Sequence, residues 1–355
     1  MFIVDAHQNI AFNAQQLGRD YARWAWHLRA SEGDHNLPPA MTSLPDNLMS
    51  GIGIVYGSIR VIPESSPQRE SWQKLTYRTA DDAKLLGTWQ FDYYRRLADD
   101  NDQIRLILTR GDLEAVTASW QDGLPLSGRL AGIVALMEGA APVTEPRQFE
   151  EWLELGLRIV APACQPTPYC AAAGDEGGLT ALGHELLDHL SDSGILLDIS
   201  DMSERACQQA IERYPGAIIA SHANPRYFYD SPRSLSDRTI SALAERDGVV
   251  GIMVYNRYLR RDWHPSDPRR RARLDHWADA VDYVCQLTGS SAHAGLGSDI
   301  DGGYAYGSFP AEVDTSADLW KLRDCLSNRG FADDDIEAVL SGNHLRKLKE
   351  ALPDG

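Results

Sequence analysis

The chain has 355 residues, 43% of them hydrophobic and 24% charged, a composition that supports a large apolar core and excludes a disordered or fibrous class. Its formal net charge of −17 repels nucleic-acid phosphates and anionic membrane surfaces, so neither is an expected partner. The five cysteines, Cys164, Cys170, Cys207, Cys285 and Cys325, lack the paired spacing of a zinc knuckle or redox dithiol, which points to a reducing, cytoplasmic setting. A basic-then-apolar leader and a membrane-length apolar run are both missing from the sequence, and a soluble protein is expected.

In chain order, the first strand candidate is FIVDA at 2–6, running into DAHQN at 5–9. On an extended segment His7 and Asn9 project the same way. A His-x-His or His-x-Asp pair there would clasp a metal; Asn9 puts a neutral amide in that place. Residues 11–50 carry little strand signal and read as a lid or insertion, in which Trp24, Trp26 and His27 either pack on the body or line its mouth. GIGIVYG at 51–57, a helix over 76–100 and IRLILT at 104–109 follow. AGIVALME at 131–138 ends on Glu138, a carboxylate leaving a buried strand, which needs a salt bridge or a metal.

GLRIVAP at 156–162 comes next, then GILLDIS at 194–200 with Asp201 behind it, where helix capping by Asp201 or Ser203 competes with a ligand role. After a helix over 203–214, GAIIASH at 216–222 closes on His222. A helix over 234–248 leads to GVVGIMVY at 248–255, with Asn256 at its end, and a further helix over 270–289 leads to AGLGSDI at 294–300. Asp299 and Asp301 frame the glycine turn that follows. The repeated order of strand, polar turn and helix predicts βαβ units and a parallel sheet. Nine strand candidates fit an eight-stranded barrel with one extra segment, or else an open doubly wound sheet. Polar residues close the runs at their C-terminal ends over nearly the whole chain, which favours the barrel, where those ends share one crater.

Two imidazoles, His7 and His222, together with Glu138, Asp201 and Asp299, form a donor mixture suited to zinc, with Glu138 able to bridge two ions. HExxH, Walker A and GxSxG patterns are absent, which argues against a zincin, a P-loop enzyme and a serine hydrolase.

DAHQN, LMEGA, GLRIVAPAC, ASHANPR, SPRSLSD, HAGLGSDIDGG and SGNHLRKL together resemble the membrane dipeptidase (renal dipeptidase-like) family of zinc metallohydrolases, peptidase family M19, from Asp5 to Arg346. The resemblance implies an α/β (β/α)8 TIM barrel over residues 1–355 as one domain. It also implies hydrolysis of the amide bond of dipeptides or similar small N-acyl amino acids by metal-activated water. In that frame His7, Asn9, Glu138, Asp201 and His222 hold one or two zinc ions. Glu138 and Asp299 serve catalysis, and Arg233, Cys164 and Asn256 contact a substrate with a free carboxylate. A homodimer is expected on the same ground. Three positions depart from the family pattern: Asn9 stands for an aspartate, Asp201 for a histidine, and Cys164 for a substrate-contacting histidine. The alternative they raise is a catalytically impaired barrel that binds a small amino-acid-like ligand.

Overall fold

The computed structural model describes residues 1–33, 37–121 and 124–354. Its nine strands are β1 (Ile3–Gln8), β2 (Ile52–Arg60), β3 (Ile104–Leu106), β4 (Ala131–Glu138), β5 (Ile159–Ala161), β6 (Leu196–Asp198), β7 (Ile218–Ala223), β8 (Val249–Ile252) and β9 (Ala294–Leu296). All neighbouring pairs are parallel. The order is β2-β1-β9-β8-β7-β6-β5-β4-β3, and a β2–β4 pairing closes the ring. Eight strands therefore form a (β/α)8 barrel, and β3 is the extra one. It pairs only with the N-terminal half of β4, Ile104 opposite Ala131 through Leu106 opposite Ile133. β5 takes the C-terminal half of the same strand.

Every residue of β1, β4 and β7 is buried. The apolar runs are continuous rather than alternating because helices cover the outside while side chains fill the inside. Several of those helices start where side chains satisfy their first amides. Thr79 forms a capping box with Asp82 ahead of Ala80–Asp100. Ser203 caps Glu204–Arg213 and Ser236 caps Asp237–Glu245. The cap at 203 is thus serine, which leaves Asp201 free to turn elsewhere. The helix expected from 270 begins later, at Leu274. Among the described residues no helix is long and apolar enough to cross a membrane.

The described residues of segment 11–50 fold against the C-terminal end of the barrel. Asp301 accepts the Met41 and Thr42 amides at 2.8 and 3.3 Å. Thr315 donates to Asp46 at 2.8 Å, and Arg29 pairs with Asp314. Trp26 is exposed and lies over His27, ring centroids 3.6 Å apart.

Candidate metal centre

The C-terminal strand ends surround a cavity of about 400 Å³ whose walls include Arg60, Glu138, Cys164, Asp201, His222, Arg233, Asp299 and Tyr304. Neither Asn9 nor Asn256 lines it, nor do Trp24, Trp26 and His27. Asn256 is fully buried; its amide nitrogen donates to the Gly307 carbonyl at 3.3 Å, and its Oδ1 has no hydrogen-bond partner. It opens a short helical turn, Asn256–Leu259.

Within β1, Asp5 accepts the Ser298 amide and hydroxyl at 2.8 and 2.6 Å and the Gln8 amide at 2.8 Å. That carboxylate latches β1 to the exit of β9. Burial pushes its pKa up in spite of those bonds. Two residues on, His7 is fully buried. Its Nε2 lies 3.2 Å from Glu138 Oε2 and 3.8 Å from Asp299 Oδ1, and neither ring nitrogen makes a hydrogen bond. Burial pulls its pKa down, but the Glu138 and Asp299 charges outweigh that and raise it.

His222 stacks on His7 with centroids 3.7 Å apart. Its Nδ1 is 2.8 Å from Ser221 Oγ, and the Ser221 hydroxyl donates to Asp198 Oδ2. Asp198 also accepts the Ser200 and Ser221 amides, each at 2.9 Å. With the single hydroxyl proton given to Asp198, Nδ1 must be the protonated nitrogen. The other ring nitrogen, Nε2, lies 3.3 Å from Asp201 Oδ2.

Glu138 and Asp201 share one arrangement: an inner oxygen facing an imidazole and an outer oxygen facing an arginine. Glu138 Oε2 makes no hydrogen bond, while Oε1 accepts the Cys164 thiol at 3.1 Å and lies 3.6 Å from Arg60 Nε. Burial would raise the Glu138 pKa, yet Arg60 and His7 hold it well below the usual carboxylate range. Asp201 pairs its Oδ1 with Arg233 Nε. Against the effect of burial, Arg233 and then His222 keep its pKa low. Arg233 also donates to the His222 carbonyl at 3.1 Å, and its buried Nη1 has no hydrogen-bond partner.

Asp299 accepts the Asn9 amide at 3.1 Å and the Tyr304 hydroxyl at 3.0 Å. The Asn9 oxygen accepts the Ser58 hydroxyl at 3.0 Å, so the amide is woven between two neighbours. Burial, then the Glu138 charge, hold the Cys164 pKa well above the ordinary thiol value. The group there is a neutral thiol and not a nucleophilic thiolate.

Sequence reasoning missed Arg60, Asp198, Ser221 and Tyr304. Arg60 has a readable signal: it closes β2 as Glu138 closes β4, three residues beyond the end of the run at 51–57. Asp198, inside β6, carries no local mark of its role.

The donors fit a divalent ion. His7, His222 and Asp299 form one group and Glu138, Cys164 and Asp201 another, with each group's ligand atoms within 4.8 Å of one another. Bonds of ~2.0–2.1 Å in a tetrahedral shell set donors roughly 3.3 Å apart, close to the 3.2 and 3.3 Å separations here. Unpartnered buried nitrogens and a bare carboxylate oxygen are costly unless a cation joins them.

Comparison with known proteins agrees with this architecture. A metallopeptidase from Rhodobacter sphaeroides, solved with a phosphinate mimic of the dipeptide L-Ala-D-Ala, superposes with TM-score 0.81 at 19% identity, covering 99% of both chains. The dipeptidase AC, also a metallopeptidase, gives 0.80 at 20%, again covering 99% of both. At such identities the likeness speaks for the fold. An uncharacterised Klebsiella pneumoniae protein encoded in the pqqA 5′ region is 27% identical over 71% of this chain and 91% of its own length. Dipeptidase 3 of Rattus norvegicus is 25% identical over 89% of this chain, which spans 59% of that protein. The sequence model of the membrane dipeptidase family matches residues 1–352. With that match, and with a divalent-metal donor set in the crater of its barrel, the chain belongs to the membrane dipeptidase family, peptidase family M19.

Proposed function

We propose that the chain is a zinc-dependent, dipeptidase-like hydrolase that cleaves the amide bond of dipeptides or similar small N-acyl amino acids. The observation that carries the reading is His7: a buried imidazole with both nitrogens unpartnered, facing Glu138 and Asp299 across 3.2 and 3.8 Å. A bound zinc ion supplies Lewis acidity and water activation there. His7, Glu138, Asp201 and His222 would hold it, with the Asp198–Ser221 relay fixing the His222 ring. In this reading Asn9 acts through Asp299, which its amide holds in place. Asp299, with one oxygen accepting from Asn9 and the other from Tyr304, is held in place to relay a proton to a leaving amine. Arg233 presents its free Nη1 to a substrate carboxylate, and the exposed Arg257, stacked on Tyr229 at 4.7 Å, adds a second guanidinium at the rim. Cys164 occupies the wall as a weak thiol donor. The reading extends to a cytoplasmic homodimer in which segment 11–50 serves as a lid.

The test is a panel of Ala-containing and D-amino-acid-containing dipeptides and N-acyl amino acids, incubated with protein loaded with Zn²⁺, Mn²⁺ or Co²⁺ and followed by amine release. Turnover is expected, with Glu138→Gln reducing kcat by two orders of magnitude or more. Binding of these compounds without hydrolysis by any metal-loaded form would establish the second reading, a ligand-binding barrel. That reading draws on the arginine contacts to Glu138 and Asp201.

A further inference from the structure

The seam that closes the barrel sets Arg60 directly opposite Glu138. The parallel register of β2 and β4 runs from Ile54 opposite Gly132 to Arg60 opposite Glu138, and both side chains line the cavity. Arg60 is largely buried, 19% exposed in its side chain. Its Nε has no hydrogen-bond partner and lies 3.6 Å from Glu138 Oε1, while Nη1 reaches the Gly302 carbonyl at 3.4 Å. The guanidinium thus lies against the outer oxygen of Glu138, the oxygen a bridging carboxylate would give to a second ion. The nearby amide that could help hold such an ion is Asn9, neutral and already bonded to Ser58 and Asp299.

Charge balance points the same way. The inner groups facing the cavity are three carboxylates (Glu138, Asp201, Asp299) and two guanidiniums (Arg60, Arg233), so −3 + 2 leaves −1. One divalent ion brings the sum to +1, and two bring it to +3. An excess of that size in a buried site carries a heavy desolvation and repulsion cost, and the exposed Arg257 at the rim adds to it.

We propose that this centre holds one divalent ion, and that the Arg60 guanidinium stands in the crater as its fixed second cation. The inference rests on the metallohydrolase reading above and refines its metal content. The inner donors, Glu138 Oε2, Asp201 Oδ2 and the two stacked imidazoles, serve the ion, and Arg60 closes off the outer side of Glu138.

The test counts ions without reference to turnover. Metal-free protein is titrated with Co²⁺, bound metal per chain is measured by plasma mass spectrometry, and Mn²⁺-loaded samples are examined by electron paramagnetic resonance for coupling between two ions. The wild type and Arg60→Lys, which keeps the charge, are expected to bind one equivalent with no coupling. Arg60→Met is expected to bind two, and Arg60→Gln serves the same comparison should the methionine variant fail to fold by circular dichroism. Two equivalents in the wild type would overturn the inference and leave the hydrolase reading standing. One equivalent in the wild type and in both neutral variants would overturn the role given to Arg60. No bound metal in any form would overturn the inference and the metallohydrolase reading together.

Discussion

Asp301 is 7% exposed, and its carboxylate ties segment 11–50 to the barrel through the Met41 and Thr42 amides. Burial pushes its pKa up to about 6 from 3.8, an effect that Arg19 only partly offsets. Between those two values the folded chain binds more protons than the unfolded one, so stability falls as pH rises through that window. The contribution is fully present below pH 3.8 and lost above about 6; about two pKa units correspond to about 3 kcal/mol. Relative to wild type, Asp301→Asn should therefore gain stability between pH 4 and pH 7, read as the difference between urea unfolding curves across that range. A difference that is flat or of opposite slope contradicts the assignment. The sequence shows at this scale which residues end buried runs, and His222 and Glu138 were visible for that reason. Ending a strand does not say which way the next turn swings, and Asn256, at the end of the run at 248–255, stays outside the cavity lining. Arg60 was lost because Gly57 and Ser58 interrupt the apolar pattern before the strand itself ends.

The strand carrying His222 is held by glycines on its neighbours. A Cβ at Gly251 in β8 would lie 2.0 Å from the Ser221 carbonyl oxygen, and one at Gly297, just past β9, would lie 1.8 Å from it. Backbone cannot give way as a flexible side chain can, so Gly297→Ala must push β7 and the Asp198–Ser221–His222 relay out of register. A loss on the order of 1–3 kcal/mol is expected for such overpacking, with weaker metal binding. Gly307→Ala, where a Cβ meets nothing within 4 Å, should leave both within error, and urea unfolding with a Co²⁺ titration checks the pair. Element identity was legible, since all nine apolar runs became strands. Their C-terminal limits were not: in the runs at 194–200 and 294–300 the strands themselves span only Leu196–Asp198 and Ala294–Leu296. Beyond those points the chain bends to aim Asp201 and Asp299 inward, a tertiary demand that local hydrophobicity does not record.

In the molecule as a whole, the proposed donors come from the ends of β1, β4 and β7 and from the turn after β6, so a bound ion would tie four parts of one ring together. At a free metal concentration about 100 times Kd, mass action adds about 2.7 kcal/mol. For 355 residues, an unfolding entropy of ~2.1 cal/mol/K per residue converts this to roughly 3–4 °C in Tm. Calorimetry with a chelator, then with metal restored, should show that fall and its recovery; a Tm indifferent to both would mean the ion does not bind here. The barrel was foreseeable from the order of elements, whereas its seam was not, because β2 skips β3 to pair with β4 and nothing in either strand names its partner. Three of the four non-glycine residues with left-handed backbone among those described are Asp201, Asp299 and Asp301, at φ 63°, 55° and 63°. Each such conformation costs about 1–2 kcal/mol that glycine would not incur. Breeding this protein for heat resistance alone would reward exchanging those aspartates, so hardier descendants would tend to be chemically poorer ones.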